Sequence, residues 1–390
     1  MNESDLSLLV LIQKAEMLLF NGLKRAIKVN IYIGNFVFFS CPFSINFIKM
    51  KGKNMLKTAE YVSIGHPDKT ADFISSYLLD KLLSVDNQVK YAVEVMIKDN
   101  TVILGGEISG QIQLPDLTET VKEALRIIGY DERYARIWQD KALNINNINV
   151  VNLLGIQSNE ILQGIHQNGW GDQGVFVGYA CQGLENMPSE LVLARQLNNA
   201  LYQKARSSDN LGLDIKTQIT IDDKGVIQTA IVAIPMLHNE DLTNFIIDTL
   251  GQKPINIIIN GTGNYTYHSS IADCGITGRK LACDFYSTAC PIGGGSPWTK
   301  DASKADLTLN LYARYLAKQY LKDNDECFVY LSSCIGKALL PSAIVKTVKD
   351  NKVSVQTLHI ADKPIEIIQK LNLNKPIYSN LCKEGLMFYI

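Results

Sequence analysis

One pattern runs three times along this chain from Met55 onward: a stretch of helical period, then two stretches of strand period. The first helix is DKTADFISSYLLDKLL, with Ala71, Ile74, Leu78 and Leu82 on one stripe. YAVEVMI and TVILGGEI follow it as the arms of a hairpin joined by KDN. The second helix, SELVLARQLNNALYQKAR from Ser189, leads to IKTQITI-DDKG-VIQTAIVAI. The third, SKADLTLNLYARYLAKQYL from Ser303, leads to CFVYLSS and later KVSVQTLHI. The recurrence predicts three similar α+β domains, and 390 residues are too many for one simple core.

Composition narrows the function classes. Hydrophobic content of 46% and charged content of 20% fit a soluble globular protein. A formal net charge of −1 gives no global basic field, so no nucleic-acid partner is expected. The eight cysteines contain no C-x-x-C, there are only five histidines, and zinc-site spacing is absent. Scattered cysteines in a chain this long read as buried thiols in a reducing compartment, which predicts a cytoplasmic protein. Residues 30–48, NIYIGNFVFFSCPFSINFI, are apolar but broken by Asn, Ser and Pro. That suits neither a signal peptide nor a membrane span. Residues 1–54 are expected to be a poorly ordered extension with no membrane role.

The stretch GHPDK, residues 65–69, crowds a histidine, a proline, an acid and a base at the start of the first helix. Pro67 suits the first helical turn, and the free N–H groups there favour anions. His66 could donate to a phosphate oxygen, and Asp68 could hold Mg²⁺ beside phosphate oxygens. The plain alternative is that Asp68 complements the helix dipole and Lys69 faces water. In the first hairpin, a turn at Asp99-Asn100 would set Glu94 opposite Gly105 and Ala92 opposite Glu107. Glu94 and Glu107 then share one face, either solvated or gathered around a cation.

Further along, NGWGDQGVFVGY carries Asp172 among glycines, and IADCGITGRKLACDFY carries Asp273, Arg279 and Lys280. Soon after comes PIGGGSPWTKDASKAD, with Lys300, Asp301, Lys304 and Asp306. Consecutive glycines let backbone approach a bulky anion, and the nearby cations favour polyphosphate over a plain turn. The Walker A loop, G-x-S-x-G, G-x-G-x-x-G after a strand and H-E-x-x-H are all missing. Cations, acids and backbone donors suit a reaction with a nucleophile that needs no deprotonation and a highly anionic leaving group.

VSIGHPDKTADFIS, GGEIS, GDQG.FVGYA, DCGITGRKLACDFY and GGGSPWTKDASKAD, in this order, resemble the S-adenosylmethionine synthetase (methionine adenosyltransferase) family. The resemblance runs from about residue 57 to about 376. It implies three α+β domains related by pseudo-threefold symmetry, placed at 55–158, 167–265 and 267–390. It also implies a homodimer or homotetramer with active sites between subunits, ATP and L-methionine as substrates, two Mg²⁺ per site, and K⁺. Methionine sulfur would attack C5′ of ATP, and the expelled triphosphate would be cut to pyrophosphate and phosphate.

Carried over by position, the resemblance puts His66 at the triphosphate near the breaking bond. Lys216, Arg279, Lys280 and Lys300 surround that triphosphate. Asp214, Asn264, Tyr265 and Ser296 complete the ATP side, with Tyr265 as the aromatic against adenine. Asp273 touches both substrates, and Glu107, Gln163, Asp172 and Lys304 face methionine. Asp68 and Asp306 each serve a Mg²⁺, and Glu94 serves K⁺. Several positions depart from the family pattern. Ile64 replaces a Glu, Asn264 an Arg, and Pro297-Trp298 a Phe-Ser-like pair. The stretch 163–172 is short for a mobile lid, and the C-terminus stops where the family usually continues. A catalytically impaired homologue that binds nucleotide or regulates a partner subunit is the alternative reading. A glycine-rich-loop kinase, which would leave ADP, is a third.

Overall fold

The computed structural model describes residues 55–109, 112–156 and 169–390. The expected extension at 1–54, Gln163 and most of the short lid lie outside the described residues. In chain order the strands are β1 (Lys57–Val62), β2 (Tyr91–Lys98), β3 (Thr101–Ile108), β4 (Asn149–Ile156), β5 (Gly174–Cys181) and β6 (Lys216–Ile221). They continue with β7 (Ile227–Ala233), β8 (Asn256–Ile259), β9 (Gly275–Ile276), β10 (Glu326–Ser333), β11 (Ser342–Lys349) and β12 (Lys352–Thr357).

These strands form three four-stranded sheets, ordered β1-β6-β7-β8, β5-β10-β11-β12 and β9-β2-β3-β4. All three follow one plan. An antiparallel hairpin lies at the centre, one strand flanks its first arm antiparallel, and a fourth strand flanks its second arm. The flanking strand is always borrowed. β1 precedes the first hairpin yet pairs with β6 of the second. β5 precedes the second yet pairs with β10 of the third. β9 precedes the third yet pairs with β2 of the first. Each unit thus lends a strand to the next in a closed ring, and contiguous stretches of chain do not correspond to whole sheets.

A long helix packs on each sheet across the lent strand. Pro67–Leu83 lies on β2 and β9, Ser189–Arg206 on β1 and β6, and Ala305–Leu321 on β5 and β10. The last of these contacts is close: a Cβ at Gly178 of β5 would stand 2.0 Å from the Ala313 backbone, so only glycine fits. In the third unit β11 lies between the two strands read from the sequence, and KVSVQT pairs with β11 rather than β10. Apolar Ile344 and Val348 sit half-buried on the face opposite buried Ala343 and Val345, which blurs the alternation that marks a strand.

The Pro67 helix is buried well beyond its predicted stripe. The Tyr378–Glu384 helix covers its outer face, and Asp80 accepts from Tyr378 N and Ser379 N, each at 2.8 Å, and from Ser379 Oγ. Lys69 is therefore buried instead of facing water. On the Ala305 helix the fully buried Arg314 binds only carbonyl oxygens. It donates to Tyr179 O at 2.7 Å, Glu185 O at 2.8 Å, Asn186 O at 3.0 Å and Met387 O at 3.2 Å. Its guanidinium fastens the lent strand β5 and the C-terminal segment to one helix.

Candidate active site

GHPDK folds as its residues dictate. His66 is the N-cap of the Pro67 helix with extended backbone angles, and Pro67 opens the first turn. The His66 ring does the capping: Nδ1 accepts from Asp68 N at 3.2 Å. Gly65 has no room for a side chain, since a Cβ would stand 2.3 Å from Leu213 O. Tyr130 Oη donates to Gly65 O at 2.5 Å and Ser63 Oγ donates to Leu213 O at 2.5 Å, which fixes the turn from both sides.

Around this turn the chain gathers a first charged group. Asp68 is buried; it accepts from Ile276 N at 2.9 Å and from Lys280 Nζ, and Arg279 Nε lies 3.8 Å from it. Burial works against its charge, but the Lys280 and Ile276 donors outweigh burial and lower its pKa. Burial first, then the charges of Lys280 and Lys216, lowers the His66 pKa to about 3. The ring is neutral, its Nδ1 lone pair is engaged, and so its proton sits on Nε2 as a donor. Asp214 accepts from Ser269 N at 3.0 Å. Burial pushes it up to about 6, opposed by that N–H and by Lys216 and raised further by Asp273. Tyr265 lies near enough to Asp214 to feel its charge, and burial is the larger cause of its raised pKa. Asn264 Nδ2 donates to Met236 O at 2.9 Å.

A second group lies along β2. The hairpin has the expected register, Lys98 with Thr101, Glu94 with Gly105 and Ala92 with Glu107, and Asp99 takes the positive φ of 52° that its turn requires. Residues 299–301 run antiparallel along β2: Val93 N donates to Thr299 O at 2.9 Å and Asp301 N to Tyr91 O at 3.1 Å. Lys300 bridges to Ala92, so Lys300, Glu94 and Glu107 share one face of the sheet. Lys300 pairs with Asp306, in the first turn of the Ala305 helix whose N-cap is Lys304. Glu94 accepts from Thr299 Oγ1 at 3.0 Å and from Thr277 Oγ1.

Thr277 and Gly278 join the two groups. Gly278 has φ 74°, and a Cβ on it would stand 2.8 Å from Ser296 Oγ, in the glycine-rich loop. A Cβ on Gly295 would stand 1.9 Å from Asp306 Oδ1, so the loop backbone lies directly on that carboxylate. Asp172 is exposed at the approach to β5, and its carbonyl accepts from Ser333 Oγ at 2.8 Å. Asp301, an acid of the same loop, is buried and bound to Tyr91 N at 2.8 Å and Ser303 N at 2.8 Å. Sequence reasoning missed the hydroxyls of Thr277 and Thr299, whose only signal was their place inside GITGRK and WTKD. It also missed Tyr130, for which nothing nearby in sequence gave a signal.

Fold and site together define an anion-handling α+β enzyme of three interlocked units. Comparison with known proteins makes the class specific. Residues 54–159 match the S-adenosylmethionine synthetase N-terminal domain, 167–268 the central domain and 268–388 the C-terminal domain. The chain is 32% identical over 368 residues to the S-adenosylmethionine synthase of Pelagibacter ubique, covering 85% of this chain and 92% of that protein. It is 33% identical over 353 residues to that of Nitratidesulfovibrio vulgaris, covering 82% and 89%. A solved structure described as an unusual S-adenosylmethionine synthetase from Campylobacter jejuni superposes with a TM-score of 0.73 at 30% identity, over 86% of this chain and 96% of that one. The chain belongs to the S-adenosylmethionine synthetase family, whose enzymes are methionine adenosyltransferases.

Proposed function

We propose that the chain forms S-adenosylmethionine from ATP and L-methionine, with release of pyrophosphate and phosphate. The observation that carries this reading is the meeting of His66, Asp68, Arg279 and Lys280 at one helix start, from segments more than 200 residues apart. A thioether sulfur is a neutral nucleophile, so the site needs no general base, and His66 is held as a donor. Catalysis then rests on alignment and on charge stabilisation at the leaving oxygen. Arg279, Lys280, Lys216 and Lys300 surround the triphosphate in this reading, with His66 Nε2–H on the oxygen that leaves C5′. Asp214, Asn264, Tyr265, Asp273 and Ser296 hold the nucleoside end. Glu107, Gln163, Asp172 and Lys304 hold methionine.

The residues present fit Mg²⁺. Among the described residues no group of three or more His, Cys, Asp or Glu side chains stands ready as a cage. Mg²⁺ takes one or two carboxylates and fills its shell from phosphate and water, which is what Asp68 and Asp306 offer. Both carboxylates are paired with lysines, so a metal arriving with polyphosphate would find those lysines drawn to the phosphates. Metal supplies charge neutralisation on the phosphate oxygens. Glu94 with the Thr277 and Thr299 hydroxyls is an all-oxygen set of the kind K⁺ takes. In this reading the enzyme is cytoplasmic and works as a homodimer or homotetramer, with the sheet face that carries Glu94, Glu107 and Lys300 completed by a partner copy. Among the described residues no helix is long and apolar enough to cross a membrane.

The test is product analysis of purified protein with ATP and L-methionine, with and without K⁺. The reading expects a sulfonium product with pyrophosphate and phosphate in equal amounts, formed only when methionine is present. ADP as the product, or tight ATP binding with no sulfonium product, contradicts it. The impaired-subunit alternative is not favoured by the relatives, which are synthases.

A further inference from the structure

Behind the two charged groups lies a buried cluster that the proposed chemistry does not use. Lys69 follows Asp68 on the Pro67 helix, and its Nζ lies 2.7 Å from Asp284 Oδ1 and 3.1 Å from Asp72 Oδ2. The latter is an ion-pair distance without a hydrogen bond. The Trp298 indole covers the same ammonium, with Nζ 4.2 Å from the ring centroid. Its Nε1–H donates to Asp284 Oδ2 at 2.7 Å. Asp72 accepts from Gly278 N at 2.8 Å. Lys69, Asp72, Asp284 and Trp298 are all buried.

The cluster touches the segments that carry Arg279, Lys280 and Lys300. Gly278 immediately precedes Arg279 and Lys280, Asp284 ends the short helix that follows them, and Trp298 stands two residues before Lys300. Two buried acids share one ammonium here. Asp284 is satisfied because Lys69 takes one of its oxygens and the indole N–H the other, while Asp72 holds Gly278 N through Oδ1 and faces Lys69 through Oδ2. Without that N–H, Asp284 Oδ2 would be a buried acceptor with no donor, and it could regain one only by moving the helix that begins after Lys280. Trp298 also occupies a position where the resemblance leads one to expect a small hydroxyl residue, which could not span from Asp284 to the face of Lys69.

We propose that Trp298 is a positioning residue: its N–H on Asp284 and its ring on Lys69 hold the Gly278–Lys280 and Thr299–Lys300 segments against the start of the Pro67 helix. The inference rests on reading the site as a polyphosphate site. It is tested with Trp298→Phe in the full-length protein, which keeps a ring over Lys69 and removes the N–H. The readouts are the affinity for inorganic tripolyphosphate by calorimetry, kcat, the KM for methionine and the urea midpoint. Tripolyphosphate affinity and kcat are expected to fall about tenfold or more, as displaced reacting groups do. The methionine KM stays at the wild-type value. Asp284→Asn, which keeps its size and loses the pairing with Lys69, is expected to give the same split.

A folded variant with wild-type tripolyphosphate affinity and kcat overturns the proposal. If Trp298→Phe does not fold, Asp284→Asn decides alone; failure of both to fold also overturns it, because the cluster would then serve folding and nothing else. Wild-type protein that makes no sulfonium product, yet loses tripolyphosphate affinity on Trp298→Phe, refutes the function and leaves the positioning role standing.

Discussion

Single side chains set the charge of this site, and each makes a checkable claim. Arg279 is half-exposed and Lys300 largely covered, yet neither supports the core. Lys300→Ala or Arg279→Ala should abolish turnover while circular dichroism and the urea midpoint stay at wild-type values, because in the proposed reaction each donates to the leaving triphosphate, a contact worth about 2–4 kcal/mol of barrier. Wild-type rates in either variant would contradict the triphosphate assignment. His268 makes a different claim. It is buried beside Tyr134 and Trp138, its Nδ1 lies 2.7 Å from Thr266 O, and burial lowers its pKa from 6.5 to about 4. Between those values the unfolded chain binds a proton that the folded chain refuses. Its contribution is therefore whole above pH 6.5 and is lost as pH falls towards 4, by about 1.4 kcal/mol per pH unit. In chemical denaturation from pH 7 to 4, His268→Gln should lose stability less steeply than wild type. Parallel curves would show that His268 is not held neutral.

At the level of elements, the shortest strand does the most for the site. β9 has only two residues, but it brings Ile276 N to Asp68 and sets Thr277 against Glu94. Its approach to the Pro67 helix depends on Gly275, where a Cβ would stand 2.2 Å from Pro67 O. Gly275→Ala should lower stability by about 1–3 kcal/mol, as overpacking against backbone does, and should lower activity through the shift of Asp68. Urea denaturation and turnover measure both, and an unchanged urea midpoint would show that the contact yields freely. The long helices and the first hairpin were legible because period and turn residues are local signals. GHPDK was legible as a helix start for the same reason. β9 was not, since two residues show no period, and neither was β11, whose apolar positions fall on both faces. The burial of Lys69 could not be read either, because its partners Asp284 and Trp298 come from more than 200 residues away.

For the whole molecule, the ring of lent strands makes the three units depend on one another, and this was invisible in the repeat itself. The repeat showed three helices with three hairpins; it held no information on which sheet would receive β1, β5 or β9. Among the described residues the strands and helices begin at Lys57, and the family match begins at 54. Deleting residues 1–54 should therefore leave kcat and the urea midpoint unchanged, and a loss of solubility or rate on deletion would assign the extension a part in the enzyme. In the proposed reaction, side chains from distant segments surround one nucleotide tail so that a neutral sulfur can displace it. A crystal structure with a non-hydrolysable ATP analogue and methionine tests that most directly. It should show phosphate oxygens within hydrogen-bond distance of His66, Arg279, Lys280 and Lys300, with the sulfur facing C5′; phosphates bound elsewhere, with those four side chains turned to solvent, would contradict it.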